Sequence, residues 1–248
     1  MLFKERLQSD ALLRGVLHVI PSAVAAQATA AAGADFVIID REHGPIGRES
    51  AHAMIAATAG TDCAALVRVP RIDESEAKFA LDSGADGIVF PLVRTAGDAR
   101  RCVAAVTYPP EGTRGWGPFV AHAHHGTALP DHLAAMGPQA VCVVLLETVE
   151  AVEHTDAILA VPGIDLAIVA PFDLSTALGV HGRFDAPEFL EAVRILEESA
   201  ARHGVPLGGA ALTPETSRDL IGRGYRVLIQ GIDVLMLSAQ TAAFADWI

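Results

Sequence analysis

The chain has 248 residues, 51% of them hydrophobic and only 5% aromatic, with a formal net charge of −12. That acidic balance argues against a nucleic-acid partner, because binding a phosphate backbone relies on clustered Lys and Arg; solubility is the simpler reading of the charge. The length suits one α/β barrel of about 250 residues rather than two ordinary domains, and an aliphatic interior suits a parallel sheet covered on both faces.

The Ala-rich start, Ala11 to Ala34, has the look of a leader, but Arg14 and His18 interrupt its apolar run and export is discounted. Strands are predicted at 15–20, 35–40, 64–69, 87–91, 141–147, 164–170, 206–210 and 226–231. Several are entered the same way: a helical stretch ends in Gly and a β-branched run follows, as in AAGADFVIID (31–40), LDSGADGIVFP (81–91) and IGRGYRVLIQGID (221–233). Gly suits the left-handed position just past a helix, and the run after it suits a buried strand. Helical stretches separate all eight strands and no Gly/Ser linker divides the chain, so the expected fold is a single-domain (β/α)8 TIM barrel over residues 1–248.

The longest irregular piece, Tyr108 to Pro130, is rich in Gly, Pro and His and is expected to be functional or mobile. His122, His124 and His125 within it match no standard zinc spacing, and the segment reads as a mobile or interfacial one lining the site, with Arg114 and Trp116 helping to shape a pocket. Cys63, Cys102 and Cys142 form no C-x-x-C pair and read as buried thiols in a reducing, cytoplasmic setting. No run of 18 apolar residues is free of charge, so no membrane partner is expected.

Barrel enzymes carry their chemistry at the carboxyl ends of the strands. In this chain those ends hold Asp40, Arg41, Glu42 and His43 after the second strand, Arg68 at the third, Glu147 at the fifth and Asp173 after the sixth. Adjacent strands lie roughly 4.8 Å apart, so Glu147 and Asp173 would repel unless a cation or a shared proton lay between them. An all-oxygen pair suits Mg²⁺ or Mn²⁺. Two plainer readings stand beside it: Glu147 pairs with an Arg, and Asp173 caps the next helix.

IIDREHGP (38–45), Arg68 in LVRVP, TYPPEGTRGWGP (107–118), LLETVEAV (145–152) and APFDLSTALG (170–179) together resemble the HpcH/HpaI aldolase family, in order and across nearly the whole chain. The resemblance implies a metal-dependent class II pyruvate aldolase, similar to the 4-hydroxy-2-oxoheptanedioate aldolases, acting on a 2-oxo acid and an aldehyde. It implies Glu147 and Asp173 as ligands of Mg²⁺ or Mn²⁺, with Co²⁺ as an alternative. It also implies His43 as general base, Arg68 as the cation beside the enolate, and a homo-oligomer, commonly a hexamer. Asp82 corresponds to the aspartate that raises the basicity of the histidine. It ends the third helix, near the bottom of its own barrel, so that role requires another subunit; a solvated residue is the bland alternative.

Two positions depart from the family pattern in the substrate pocket: Leu145 replaces a Gln, and Phe172 replaces a small residue. Both make the pocket tighter and less polar. A Schiff-base mechanism is disfavoured on separate grounds, because Lys4 and Lys78 are the only lysines and neither is placed to enter the barrel mouth. The competing functions are a citrate-lyase-like CoA-ester lyase on the same scaffold and a non-catalytic oxo-acid-binding protein.

Overall fold

A computed structural model describes residues 1–247. Its centre is a closed parallel barrel of β1 (Leu13–His18), β2 (Phe36–Asp40), β3 (Ala64–Arg68), β4 (Gly87–Phe90), β5 (Val141–Leu146), β6 (Leu166–Val169), β7 (Leu207–Ala210) and β8 (Val227–Ile232), paired in chain order with β8 closing on β1. This is the expected TIM barrel. All eight predicted strands are present, each within two residues of its predicted bounds. The first is shifted back to Leu13–His18, because the Val19 and Ile20 N–H groups donate to the Asp233 carboxylate, each at 3.0 Å, instead of to a neighbouring strand.

Side chains alternate between two shells. Phe36, Ile38, Leu66, Val89, Val143, Leu145, Ile168 and Ile229 point into the barrel. Val37, Ile39, Val67, Ile88, Phe90, Val144, Leu146 and Val169 point outward beneath the helices. The N-terminal helix Phe3–Leu7 closes the bottom: Phe3 and Leu7 join the inner cluster, and the Phe3 ring lies 5.9 Å from that of Phe36.

The Gly-x-Asp entries have a structural use. Gly33 (φ +88°) and Gly84 (φ +104°) take the left-handed turn. Asp35, Asp86 and Asp165 each stand just before an even-numbered strand and accept the N–H of Arg14, Ala65 and Cys142, on the preceding odd-numbered strand, at 2.8, 2.8 and 2.9 Å. Before β8 the acid is replaced by Arg226, which pairs with Asp10 at 2.7 Å.

Burial pushes the Asp86 carboxyl up to about 6, against the Ala65 N–H bond that favours its charge. The native state therefore keeps this proton to a higher pH than the unfolded chain, whose value is near 3.8. Stability contributed by the protonated form is present at low pH and is lost as pH rises from about 4 to about 6, by about 3 kcal/mol at most. Asp86→Asn, which keeps an acceptor for Ala65, is expected to flatten that part of the profile in urea titrations between pH 4 and 7.

The last helix, Asp233–Ala242, begins on the buried Asp233 but is otherwise uncovered, with Val234, Leu235, Met236 and Leu237 between 40% and 61% exposed. Among the described residues, no helix is long and apolar enough to cross a membrane.

Candidate active site at the carboxyl ends of the strands

The inward alternation of β2, β3 and β5 continues through Asp40, Arg68 and Glu147, each two residues past an inner-shell aliphatic. These apolar strands thus end in charge at one rim. Asp40 and Arg68 stand opposite each other in the β2–β3 register. The Asp40 carboxylate accepts from Arg68 Nε at 2.8 Å and Nη2 at 2.6 Å, the two-point geometry of a strong charge-assisted pair. Asp40 Oδ1 also accepts the backbone N–H groups of Glu42 (3.0 Å) and His43 (3.3 Å), which fixes the loop carrying them.

Arg68 Nη1 lies 3.3 Å from Glu42 Oε2. That is ion-pair distance without hydrogen-bond alignment, and the Glu42 oxygen is buried with no donor. Burial alone would lower the Arg68 pKa; the hydrogen bonds and charge of Asp40, with Glu42 and Glu147, outweigh it and the value rises.

Glu147 is 4% exposed, and its Oε1 accepts the Leu92 N–H at 2.6 Å. Leu92 turns that N–H inward from a left-handed backbone, φ +55°, a strained conformation for a leucine. Burial pushes the Glu147 carboxyl up to about 7; the Leu92 N–H and Arg68 oppose the rise, while Asp173 and Glu42 add to it. Asp173 is exposed in the first turn of the helix Pro171–Ala177, where Ala170 holds the cap position without a side-chain bond. Glu147 therefore has a backbone partner rather than an arginine, and Asp173 is not the helix cap.

Asp40, Glu42 and Glu147 act on one guanidinium, and Asp173 lines the same cavity. Once Arg68 is matched with Asp40, the charges of Asp173 and Glu42 add to the cost of ionising Glu147. A divalent cation on oxygen donors relieves that cost, and the donor set fits Mg²⁺ or Mn²⁺. Among the described residues no three His, Cys, Asp or Glu side chains gather in metal-holding geometry. A metal on Glu147 and Asp173 would thus draw its other ligands from substrate or water.

A cavity of about 330 Å³ opens here, lined by Asp40, His43, Arg68 and Asp173 among the aliphatics Leu17, Ile38, Leu145, Ile168 and Ile229 and by the Phe172 ring. Glu147, buried at the end of β5, is not among the lining residues. The His43 side chain is 60% exposed at the rim, with Nε2 3.8 Å from Glu42 Oε2.

Residues 19–239 match the model of the family described as HpcH/HpaI aldolase/citrate lyase. The chain belongs to that family. It is 36% identical to a hydroxypyruvate/pyruvate aldolase of Roseovarius nubinhibens over 99% of this chain and 96% of the relative. It is 30% identical to a 5-keto-4-deoxy-D-glucarate aldolase of Klebsiella pneumoniae over 98% and 95%. Among solved structures, an HpcH/HpaI aldolase/citrate lyase family protein from Burkholderia cenocepacia superposes with a TM-score of 0.90 at 30% identity, covering 98% of this chain and 97% of that one.

Within this HpcH/HpaI barrel the two departures both sit on the cavity. Leu145 is buried in its lining, and Phe172 is half exposed with its ring edge-on to Phe184 at 5.4 Å. Asp82 lies elsewhere. It ends the helix Glu74–Asp82 at the opposite end of the barrel from His43, with Oδ1 3.5 Å from Arg114 Nη2 and no aligned donor.

Within one chain Arg114 and Trp116 do not line the mouth cavity. Their segment follows the descending helix Ala96–Val106 and runs under the amino ends of the strands. Arg114 is buried there against the Tyr108 ring at 4.4 Å, beside a small cavity that includes Asp86 and Ala140. Lys4 pairs with Asp165 at 3.0 Å at that same end, and Lys78 lies beside Gly115. Neither lysine lines the mouth cavity.

Two features escaped the sequence. One is Asp40 as the binding partner of Arg68, although both are inward strand ends and parity exposes them. The other is the Leu92 N–H, which depends on a backbone angle that no residue type announces.

Proposed function

We propose that the chain is a divalent-metal-dependent aldolase that cleaves and forms 2-oxo acids from pyruvate, or hydroxypyruvate, and an aldehyde. The observation that carries this reading is the rim itself: Glu42, Glu147 and Asp173 beside an Arg68 already engaged by Asp40. A metal held there by Glu147 and Asp173 would supply Lewis-acid polarisation of the oxo group, which makes the neighbouring carbon acidic. Mg²⁺ and Mn²⁺ suit the donors, with Co²⁺ as an alternative. The low-identity likeness to citrate lyase structures, 15–18%, supports the fold alone. A CoA-ester lyase would need basic residues for its phosphates, and among the described residues Arg68 is the one Arg or Lys lining the cavity.

In the cleavage direction His43 takes the proton of the C4 hydroxyl as the C3–C4 bond breaks, releasing the aldehyde. Arg68, fixed in two dimensions by Asp40, presents positive charge where negative charge grows on the enolate oxygen. A proton delivered to C3 completes pyruvate. The test is incubation with Mg²⁺ or Mn²⁺, pyruvate and simple aldehydes, with and without EDTA. New C–C bonds lost on chelation support the reading; pyruvate binding with no product from any aldehyde replaces it with a non-catalytic binder. In the same assay His43→Ala is expected to lower turnover by about 10²–10⁴-fold while metal affinity by calorimetry is unchanged.

The assembly we propose is a homo-oligomer in which Asp82 of one subunit serves His43 of another. The uncovered apolar helix Asp233–Ala242 provides a surface for such contacts. Co-expressed His43→Ala and Asp82→Asn chains are expected to recover about a quarter of wild-type activity from two nearly inactive parents, by random pairing of sites shared between subunits. No recovery in verified mixed oligomers would place both residues in one subunit's site or remove Asp82 from it.

A further inference from the structure

The mouth cavity adjoins a second one. A groove of about 470 Å³ runs between the helices Pro187–His203 and Pro214–Gly222, and it shares Val169, Pro171, Phe172 and Ala210 with the cavity at the strand ends. Phe172 is the partition: its half-exposed ring stands edge-on to Phe184, which in turn packs on Phe189 at 5.4 Å. Beyond it the walls are apolar, with Leu190, Val193, Leu212 and Leu220.

The polar groups along the groove already have partners. Thr213 and Thr216 bond each other, and Asp219 pairs with Arg223 at 3.0 Å. In the mouth cavity the one guanidinium is engaged by Asp40 and approached by Glu42, and Leu145 supplies no amide. Within the subunit, a carboxylate on the acceptor would find carboxylates at the rim and, among the described residues lining the two cavities, no Arg or Lys without an acidic partner.

We propose that the acceptor taken by this chain is an aldehyde with an uncharged hydrocarbon substituent, seated on Leu145 and Phe172 and continuing past Phe172 into the groove. This rests on the aldolase reading and names the substrate class of that site. The reaction balances without a further reagent. The electron pair at C3 of the pyruvate enolate forms the new bond to the aldehyde carbon, and the aldehyde oxygen takes up a proton to become the C4 hydroxyl.

The experiment compares isosteres: 4-oxobutanoate, whose carboxylate is charged, against 4-methylpentanal, whose isopropyl end has nearly the same shape. kcat/KM is expected to favour 4-methylpentanal by about tenfold or more, and to rise about threefold to fourfold per methylene from propanal to hexanal. Leu190→Glu, at a position 51% exposed and so compatible with folding, is expected to cut the hexanal-to-propanal ratio about tenfold, chiefly through KM. Saturation-transfer NMR with unreactive 4-methylpentan-1-ol gives a readout independent of turnover, with contact in the wild type and loss in Leu190→Glu.

Preference for 4-oxobutanoate, or a flat response to chain length as a groove filled by a second copy would give, overturns the inference. Exchange of the pyruvate methyl protons with deuterated solvent, measured without acceptor, separates the two levels. Exchange with no hydrocarbon preference leaves the aldolase reading intact and removes only this acceptor class. Absence of exchange removes both.

Discussion

Glu147→Gln is expected to reduce aldol cleavage by about 10³-fold or more, close to 4 kcal/mol of lost transition-state stabilisation, with pyruvate release followed by a coupled dehydrogenase assay at saturating Mg²⁺. The substitution keeps the shape and leaves an acceptor for the Leu92 N–H, so the fold is retained. Removing the buried charge also removes the cost that lifts the Glu147 carboxyl to about 7. The metal-free variant is therefore expected to unfold at a temperature equal to or above that of the metal-free wild type, while binding Mg²⁺ or Mn²⁺ more weakly by calorimetry. A variant that is both inactive and unfolded would assign Glu147 a structural role, and a fully active one would exclude it as a metal ligand.

The second large effect is expected at Arg68, where structure and chemistry share one side chain. Arg68→Met leaves Asp40, which is 0% exposed, as an uncompensated buried carboxylate. Breaking such a pair from one side costs about 3–5 kcal/mol, read as a fall in the denaturant midpoint. Arg68→Lys restores charge but not the fork that meets both Asp40 oxygens at 2.8 and 2.6 Å. It is expected to recover part of the stability while kcat stays about 10²-fold down. The double variant Arg68→Met with Asp40→Leu replaces the ion pair by apolar volume, and its stability is expected to return towards wild type without recovery of turnover. Recovery of turnover in that variant would show that Arg68 acts only by holding Asp40.

The site was legible to different depths. Glu147, Arg68 and Asp40 end strands whose inner-shell residues alternate with period two, so their entry to the rim follows from parity. Asp173 was placed by its motif, and its local setting decides less: an acid in the first turn of a helix is equally at home as a cap, and only the unbonded Ala170 position excludes that. Within one chain Arg114 lies away from the mouth cavity, because a long loop between the fourth and fifth strands can lie at either end of a barrel. The helix Ala96–Val106 settles the matter by carrying the chain down to the amino ends before the loop begins.

What the sequence determined alone is the barrel, its strand order and the list of rim residues, because those depend on local periodicity, on Gly-terminated helices and on alternation along each strand. It also carries five motifs that resemble the HpcH/HpaI family in order and spacing. Which acid is matched to Arg68, how the strained Leu92 backbone serves Glu147, and how Phe172 stands between two cavities were decided only by the tertiary structure. These are distances between residues 28, 55 and more positions apart in the chain, set by closure of the barrel and by packing between helices. No local pattern encodes them, which is why the rim residues could be enumerated from the sequence and their pairing could not.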